Sequence, residues 1–282
     1  MAMSLRLARL RSVAWFGWMV EGNWADPVLF GIYVVARPLS VALILALMYR
    51  AVRGPGAHGV AFAGFYVANA FHSYVDRMIV GMGWAVFEER EEFETLKYVF
   101  TSPMGLLTYL AGRSSVKFTL ATISVAIMLL TGWFALGVRW DWARVQPLPL
   151  ALSIVLGLVA TLFVGFLLAG WSLVLARSAI VVLDGVALVL FLVCGVIFPT
   201  QLLPWPLPYV ALALPFTWWY EALRRFLLGA HTNALLAHWS DVAVLGGLAA
   251  TTLVGSLLSL WGYHALERRA RRIGRLDQTT MF

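Results

Sequence analysis

LATISVAIMLL, residues 120–130, runs eleven positions without a charge. The apolar character extends to both sides, and from 106 to 137 the only charged side chains are Arg113 and Lys117. A helix of about 20 residues, rising about 1.5 Å per residue, crosses a bilayer core of about 30 Å and satisfies its own backbone without water. The stretch therefore predicts a membrane-spanning helix. The same ruler finds five more spans, at 27–49, 60–86, 148–175, 178–198 and 241–264, built around runs such as VALILALMY and VALVLFLVCGVIF. The expected fold is all-α, a polytopic bundle of six transmembrane helices.

Composition points the same way. With 61% hydrophobic and 12% charged residues, and a mean hydropathy of +0.83, the chain cannot coat a water-soluble globule. The single cysteine, Cys194, has no intrachain disulfide partner and sits inside an apolar run, as a small core hydrophobe does. His231 and His238 lack companions at metal-ligand spacing and read as outer-surface residues, so no metal site is expected.

Residues 1–26 start basic and turn apolar, but Glu21 and Asp26 interrupt them before a signal-peptide core of useful length. An interfacial amphipathic helix fits better, with Arg6, Arg9 and Arg11 at the headgroups and Trp15, Phe16, Trp18 and Trp24 inserted. Counting Lys and Arg near the span ends gives thirteen on the side that holds both termini, including the basic tail 265–282, and six on the other. Both termini are therefore expected in the cytoplasm of a cell (inner or plasma) membrane. The net charge of +7 then serves topology and contact with membrane lipids, and no nucleic-acid partner is needed.

The cytoplasmic connector EEREEFETLKYVFTSPMG, 88–105, departs from this basic habit, with Glu88, Glu89, Glu91, Glu92 and Glu94. Phe93, Leu96 and Phe100 recur at helical spacing, which predicts one short amphipathic helix over 88–101 whose acids lie in its first turns. Ser102–Pro103 should end it at a sharp corner and start the next helix. Composition alone leaves open whether this is a solvated loop helix or a docking element.

The run EEREEFETLKYVFTSPMGLLTYLAGR resembles the cytoplasmic signature of type-2 ABC exporter permeases. Its elements here are Glu88 and Glu89, Thr95 and Leu96, Ser102 and Pro103, and Gly112 and Arg113. The later segment GVIFPTQLLPWPLPYVALALPFTWWYEALRRFLLG, 195–229, resembles the family's second motif through Gly195, Phe198, Pro199, Pro204, Pro215, Thr217, Glu221, Arg224 and Gly229. Departures are Glu94, where a small residue such as glycine is common, and Lys97, where an acid is common. The resemblance implies that 88–101 is a coupling helix docking on a separate ATPase subunit, through Glu88, Glu89, Glu91, Glu92, Phe93, Thr95, Leu96, Phe100, Ser102 and Pro103. It implies two such ATPase subunits on a permease homodimer.

Independently of the resemblance, the five prolines between Pro199 and Pro215 cannot share one continuous helix, yet the segment is apolar. That composition suits a re-entrant element over 199–229 dipping from the outer face, with an ordinary Pro-rich outer loop as the alternative. Glu221 and Arg225, at i and i+4, can pair on a short helix there.

Within the spans, Arg37 and Asp76 lie at matching depths of two antiparallel helices, roughly 16 Å in, and are expected to form a buried pair. Asn69, His72, Ser73 and Asp76 form a polar stripe that either holds the bundle together or lines a substrate path. Arg77, next in sequence, is expected to point elsewhere.

No catalytic residue is expected. The E-E-x-x-x-R pattern of an intramembrane protease fails at Phe93 and at Leu96, and neither G-x-S-x-G nor H-E-x-x-H occurs. The chain has no P-loop, and its only lysines are Lys97 and Lys117. Any ATP and Mg must be bound by a partner ATPase subunit, so the chain itself carries no cofactor. The reading is a permease that exports a hydrophobic, lipid-like or drug-like cargo. Alternatives are export of a lipid-linked polysaccharide on the same architecture and, further off, an ATP-independent secondary transporter, whose paired broken helices are not evident.

Overall fold

The computed structural model describes residues 2–22, 26–53, 59–175 and 178–274, with side chains described from Arg11 onward except at 52–53. Trp24, Arg177 and Arg275, and the side chains of Arg6, Arg9 and Arg53, lie outside the described residues. All regular structure among the described residues is helical. The order is α1 (Ala2–Gly22), α2 (Pro27–Arg53), α3 (Val60–Tyr74), a π-helical segment (Val75–Val80), α4 (Gly81–Glu91), α5 (Leu96–Thr101), α6 (Leu106–Ala135), α7 (Pro147–Leu175) and α8 (Ala179–Val193). A 3-10 turn (Thr200–Leu202) then leads to α9 (Leu207–Ala213), α10 (Pro215–Leu228) and α11 (Asp241–Arg272).

Four helices among the described residues are long and apolar enough to cross a membrane, namely α2, α6, α7 and α11. Residues 60–86, expected as one span, form α3, the π segment and α4 in succession, reaching Glu91. Residues 178–198, also expected as a span, hold the shorter 15-residue apolar helix α8, which ends where Gly195 takes φ 77° ahead of Pro199. The last helix continues from the expected 264 to Arg272, because nothing in ERRARR breaks it.

α7 packs along α11 and α10, and α1 lies along α6. Without a hydrophobic force between helices in lipid, close packing depends on small residues that let neighbours approach. A Cβ on Gly157 of α7 would stand 2.0 Å from the Trp219 ring, and one on Gly112 of α6 would stand 2.6 Å from Val13 of α1. α1 is thus fastened along one side by Val13 and Gly17, while Trp15, Phe16 and Trp18 remain exposed.

The Pro-rich segment is a set of short pieces. Pro215 opens α10 at a corner where Leu214 is extended, and Trp218 Nε1 donates to Leu212 O at 2.8 Å across that corner. Every residue from Pro215 to Leu227 is buried. Phe198 is exposed and Pro199 and Pro204 lie in the loop before α9, so the apolar interior of the segment is mainly α10, with Ala211 of α9. The Glu221–Arg225 pair forms, at 3.0 Å, but inside the protein rather than on a surface helix. Arg225 also donates to the carbonyls of Leu236 and Trp239, and Arg224 donates to those of Gly64 and Gly195. Charges on a packed helix are tolerated because both guanidinium groups reach several oxygens.

Candidate functional site: a charged joint and an intramembrane cavity

The connector differs from the single helix its periodicity predicts. α4 ends at Glu91, residues 92–95 turn, and α5 begins at Leu96. Glu94 sits at φ 52°, a left-handed conformation that breaks any helix and that glycine adopts without penalty. The acids therefore lie at the C-terminal end of α4, where the helix dipole disfavours them, and need cations. They find one in Arg113, on the first turns of α6. Its Nη1 donates to Glu89 Oε1 at 2.7 Å and its Nη2 to Glu88 Oε2 at 2.8 Å. Tyr109 and Thr95 donate their hydroxyls to Glu89 as well.

Glu89 and Arg113 are each only 2% exposed at the side chain, so this is an interior joint. Beside it Arg90 bonds Glu91 at 2.8 Å and reaches the Ser172 carbonyl of α7 at 3.0 Å. Glu21 of α1 joins from the other side through Lys117 and stands 3.7 Å from Arg113. Burial pushes the Glu88 carboxyl above the usual carboxylate range, and Lys117 and Arg113 pull it back.

Of the residues expected to dock a partner, Glu88, Glu89, Glu91 and Thr95 thus turn inward, and Leu96 is buried in the main core. Phe100 is half-buried under the Arg271 guanidinium of α11, 4.6 Å from its ring centre. Ser102 is extended, as a residue before proline must be. It donates to Val99 O at 2.8 Å and so closes α5 rather than capping α6, which starts at Leu106 after Gly105. The exposed face of the connector is Glu92, Phe93, Glu94, Lys97, Tyr98, Thr101, Pro103 and Gly105.

Deeper in the bundle, Arg37 Nη2 donates to Asp76 Oδ2 at 2.9 Å. The two side chains are 47% and 41% exposed, so the pair is not buried as expected. It faces a cavity of about 440 Å³ between α2, the α3–π run and α8, which Asn69, His72 and Ser73 also line. His72 Nδ1 lies 2.8 Å from the Tyr220 hydroxyl, tying this wall to α10. A second cavity, of about 340 Å³, extends toward Glu21, Glu88 and Lys117. The two adjoin at Arg37, Asp76, Arg77 and Asp184. Arg77 therefore shares its surroundings with Asp76 instead of pointing elsewhere. Both lie on the π segment, whose wider turn changes the side-chain spacing of an α-helix, a feature frequent at functional sites.

In the sequence nothing places Tyr109, Glu21 and Lys117 at the joint, and Asp184 in the fifth apolar segment is marked only as a weaker candidate. Glu89 and Arg113 stand near the ends of two helices joined by the connector, which brings them close in the chain's path but gives neither side chain a direction. Arg77 carried no signal either, because a π turn has no sequence signature comparable to a proline or a cap.

Comparison with family models matches residues 10–228 to ABC2_membrane, the ABC-2 type transporter family. Comparison with curated proteins finds no match.

Proposed function

The chain belongs to the ABC-2 type transporter family and is a multi-pass membrane component of such a transporter, and from that premise we propose that it is the permease of an ATP-driven exporter whose ATPase is a separate subunit. The family implies an ABC ATPase partner in general. Two ATPase copies would work on a homodimer of this chain in the cell membrane, with both termini cytoplasmic. The cargo would be hydrophobic or lipid-like and would travel along the cavity beside Asn69, His72, Ser73 and Asp76.

The observation that supports coupling is the joint at Arg113. A connector held only by apolar contacts could slide, whereas one guanidinium bonded to Glu88 and Glu89, with Thr95 and Tyr109 on the same carboxylate, holds α4, the turn and α6 as one piece. Force applied at the exposed side of the connector then passes to α4 and α6 together, and through Glu21 to α1. On this reading Phe93, Lys97 and Tyr98 meet the ATPase, while Glu88, Glu89, Leu96 and Arg113 transmit.

The test is the double substitution Phe93→Asp and Tyr98→Asp in the assembled transporter. Transport should fall at least about tenfold, as loss of interface aromatic anchors commonly gives, while the thermal stability of the detergent-purified permease stays unchanged. Transport at the wild-type rate would refute docking on this face.

A further inference from the structure

Arg37 and Asp76 bond one another, and two more charged side chains open onto the same space. Arg77 and Asp184 make no hydrogen bond and no ion pair among the described residues, and both line both cavities. Arg77 is half-buried and Asp184 exposed on the cavity wall, so both are free to bond a ligand of complementary charge. α2 supplies Pro38 and Val41 to one wall and α8 supplies Leu188 and Phe191 to the other. The space thus combines a charged floor with apolar flanks, and both cavities fall in the range of about 300–1,000 Å³ typical of small-molecule sites.

We propose that this paired cavity binds the headgroup of a zwitterionic single- or double-chain amphiphile, its phosphate at Arg77 and its ammonium at Asp184. A purely anionic headgroup would satisfy Arg77 and bring a second negative charge near Asp184 and Asp76. A purely cationic one would do the reverse at Arg37 and Arg77. Only a ligand carrying both signs relieves both free groups, and its chain would leave between the apolar flanks of α2 and α8. The lower cavity, with Lys117, Glu21 and Glu88, extends the same mixed-charge lining toward the cytoplasmic joint. The inference rests on reading the cavity as the cargo path and adds the class of cargo.

The full-length permease in dodecyl maltoside is titrated with three single-chain probes by microscale thermophoresis: lysophosphatidylethanolamine, lysophosphatidylglycerol and monoacylglycerol. The first should bind tightest. Arg77→Gln should weaken both phosphate-bearing probes about tenfold, the scale of a lost charge-assisted hydrogen bond, and leave monoacylglycerol unchanged. Asp184→Asn should bring lysophosphatidylethanolamine down to the level of lysophosphatidylglycerol. Arg77→Lys, which keeps the charge, should retain most of the binding and so separates recognition from misfolding. Equal affinity for all three probes, or unchanged affinity in both charge-removing variants, would overturn the assignment. So would a loss of dimer on size exclusion with lipid affinity intact, which would give the two charges to a second copy of the chain. None of these readouts involves the ATPase, so a failure here leaves the docking experiment to stand by itself, and the converse holds.

Discussion

The joint at Arg113 and the cavity at Arg37 are built from the same residue types and behave oppositely. At the joint, Glu88, Glu89 and Tyr109 surround one guanidinium, Thr95 adds its hydroxyl to the Glu89 carboxylate, and the Glu89–Arg113 pair is shut off from solvent. At the cavity a single pair is made, its members stay nearly half exposed, and Arg77 and Asp184 are left open. Burial with several partners makes a charge cluster into a fastener; a single pair on an open wall leaves its neighbours available to a ligand. Substitutions at four places probe that difference.

The largest effect belongs to Leu96→Asp. The side chain is 1% exposed in the main core. Truncating a buried leucine costs about 2–5 kcal/mol, and an unpaired carboxylate in its place adds more. The variant should lose its folded, monodisperse peak in fluorescence-detected size exclusion. A folded Leu96→Asp protein that merely failed to couple would return this residue to the docking face.

Arg113→Ala should follow, at about 3–5 kcal/mol, because it strands Glu89 inside the protein. Adding Glu89→Gln should recover part of the loss, and strictly additive costs in thermal unfolding would show that the joint is not a coupled unit. Glu88→Gln should be far milder, since burial already opposes ionisation of that carboxyl.

The contrast also separates what the sequence carries from what it does not. The all-helical, membrane-spanning character was legible because a bilayer imposes a length and a composition on every span, as in 120–130. The Arg37–Asp76 contact was legible from depth alone. The break at Glu92–Thr95 was not, because a periodicity of Phe93, Leu96 and Phe100 persists across a turn that only the backbone at Glu94 reveals. Nor was the inward direction of the glutamates. Exposure is a property of the neighbours, and Arg113 lies some two dozen positions along the chain from them.

At the cavity, Arg37→Ala and Asp76→Ala should each cost under about 1 kcal/mol of stability, with a coupling energy of similar size, because a pair opening onto a wet wall gains little. Coupling of several kcal/mol in a double-mutant thermal series would make this pair a second fastener and erase the distinction from the joint.

The smallest effect is expected at Glu94, where strain rather than charge is at issue. A left-handed conformation costs an L-residue about 1–2 kcal/mol, and glycine avoids that at some expense in chain entropy. Glu94→Gly should therefore raise stability by no more than about 1 kcal/mol and leave transport intact, since its side chain is exposed and makes no hydrogen bond or ion pair among the described residues. A loss of transport without loss of stability would place the Glu94 carboxylate in the surface that meets the ATPase. The acid would then be kept at a strained position for its charge, and the turn would belong to the docking face rather than to the joint.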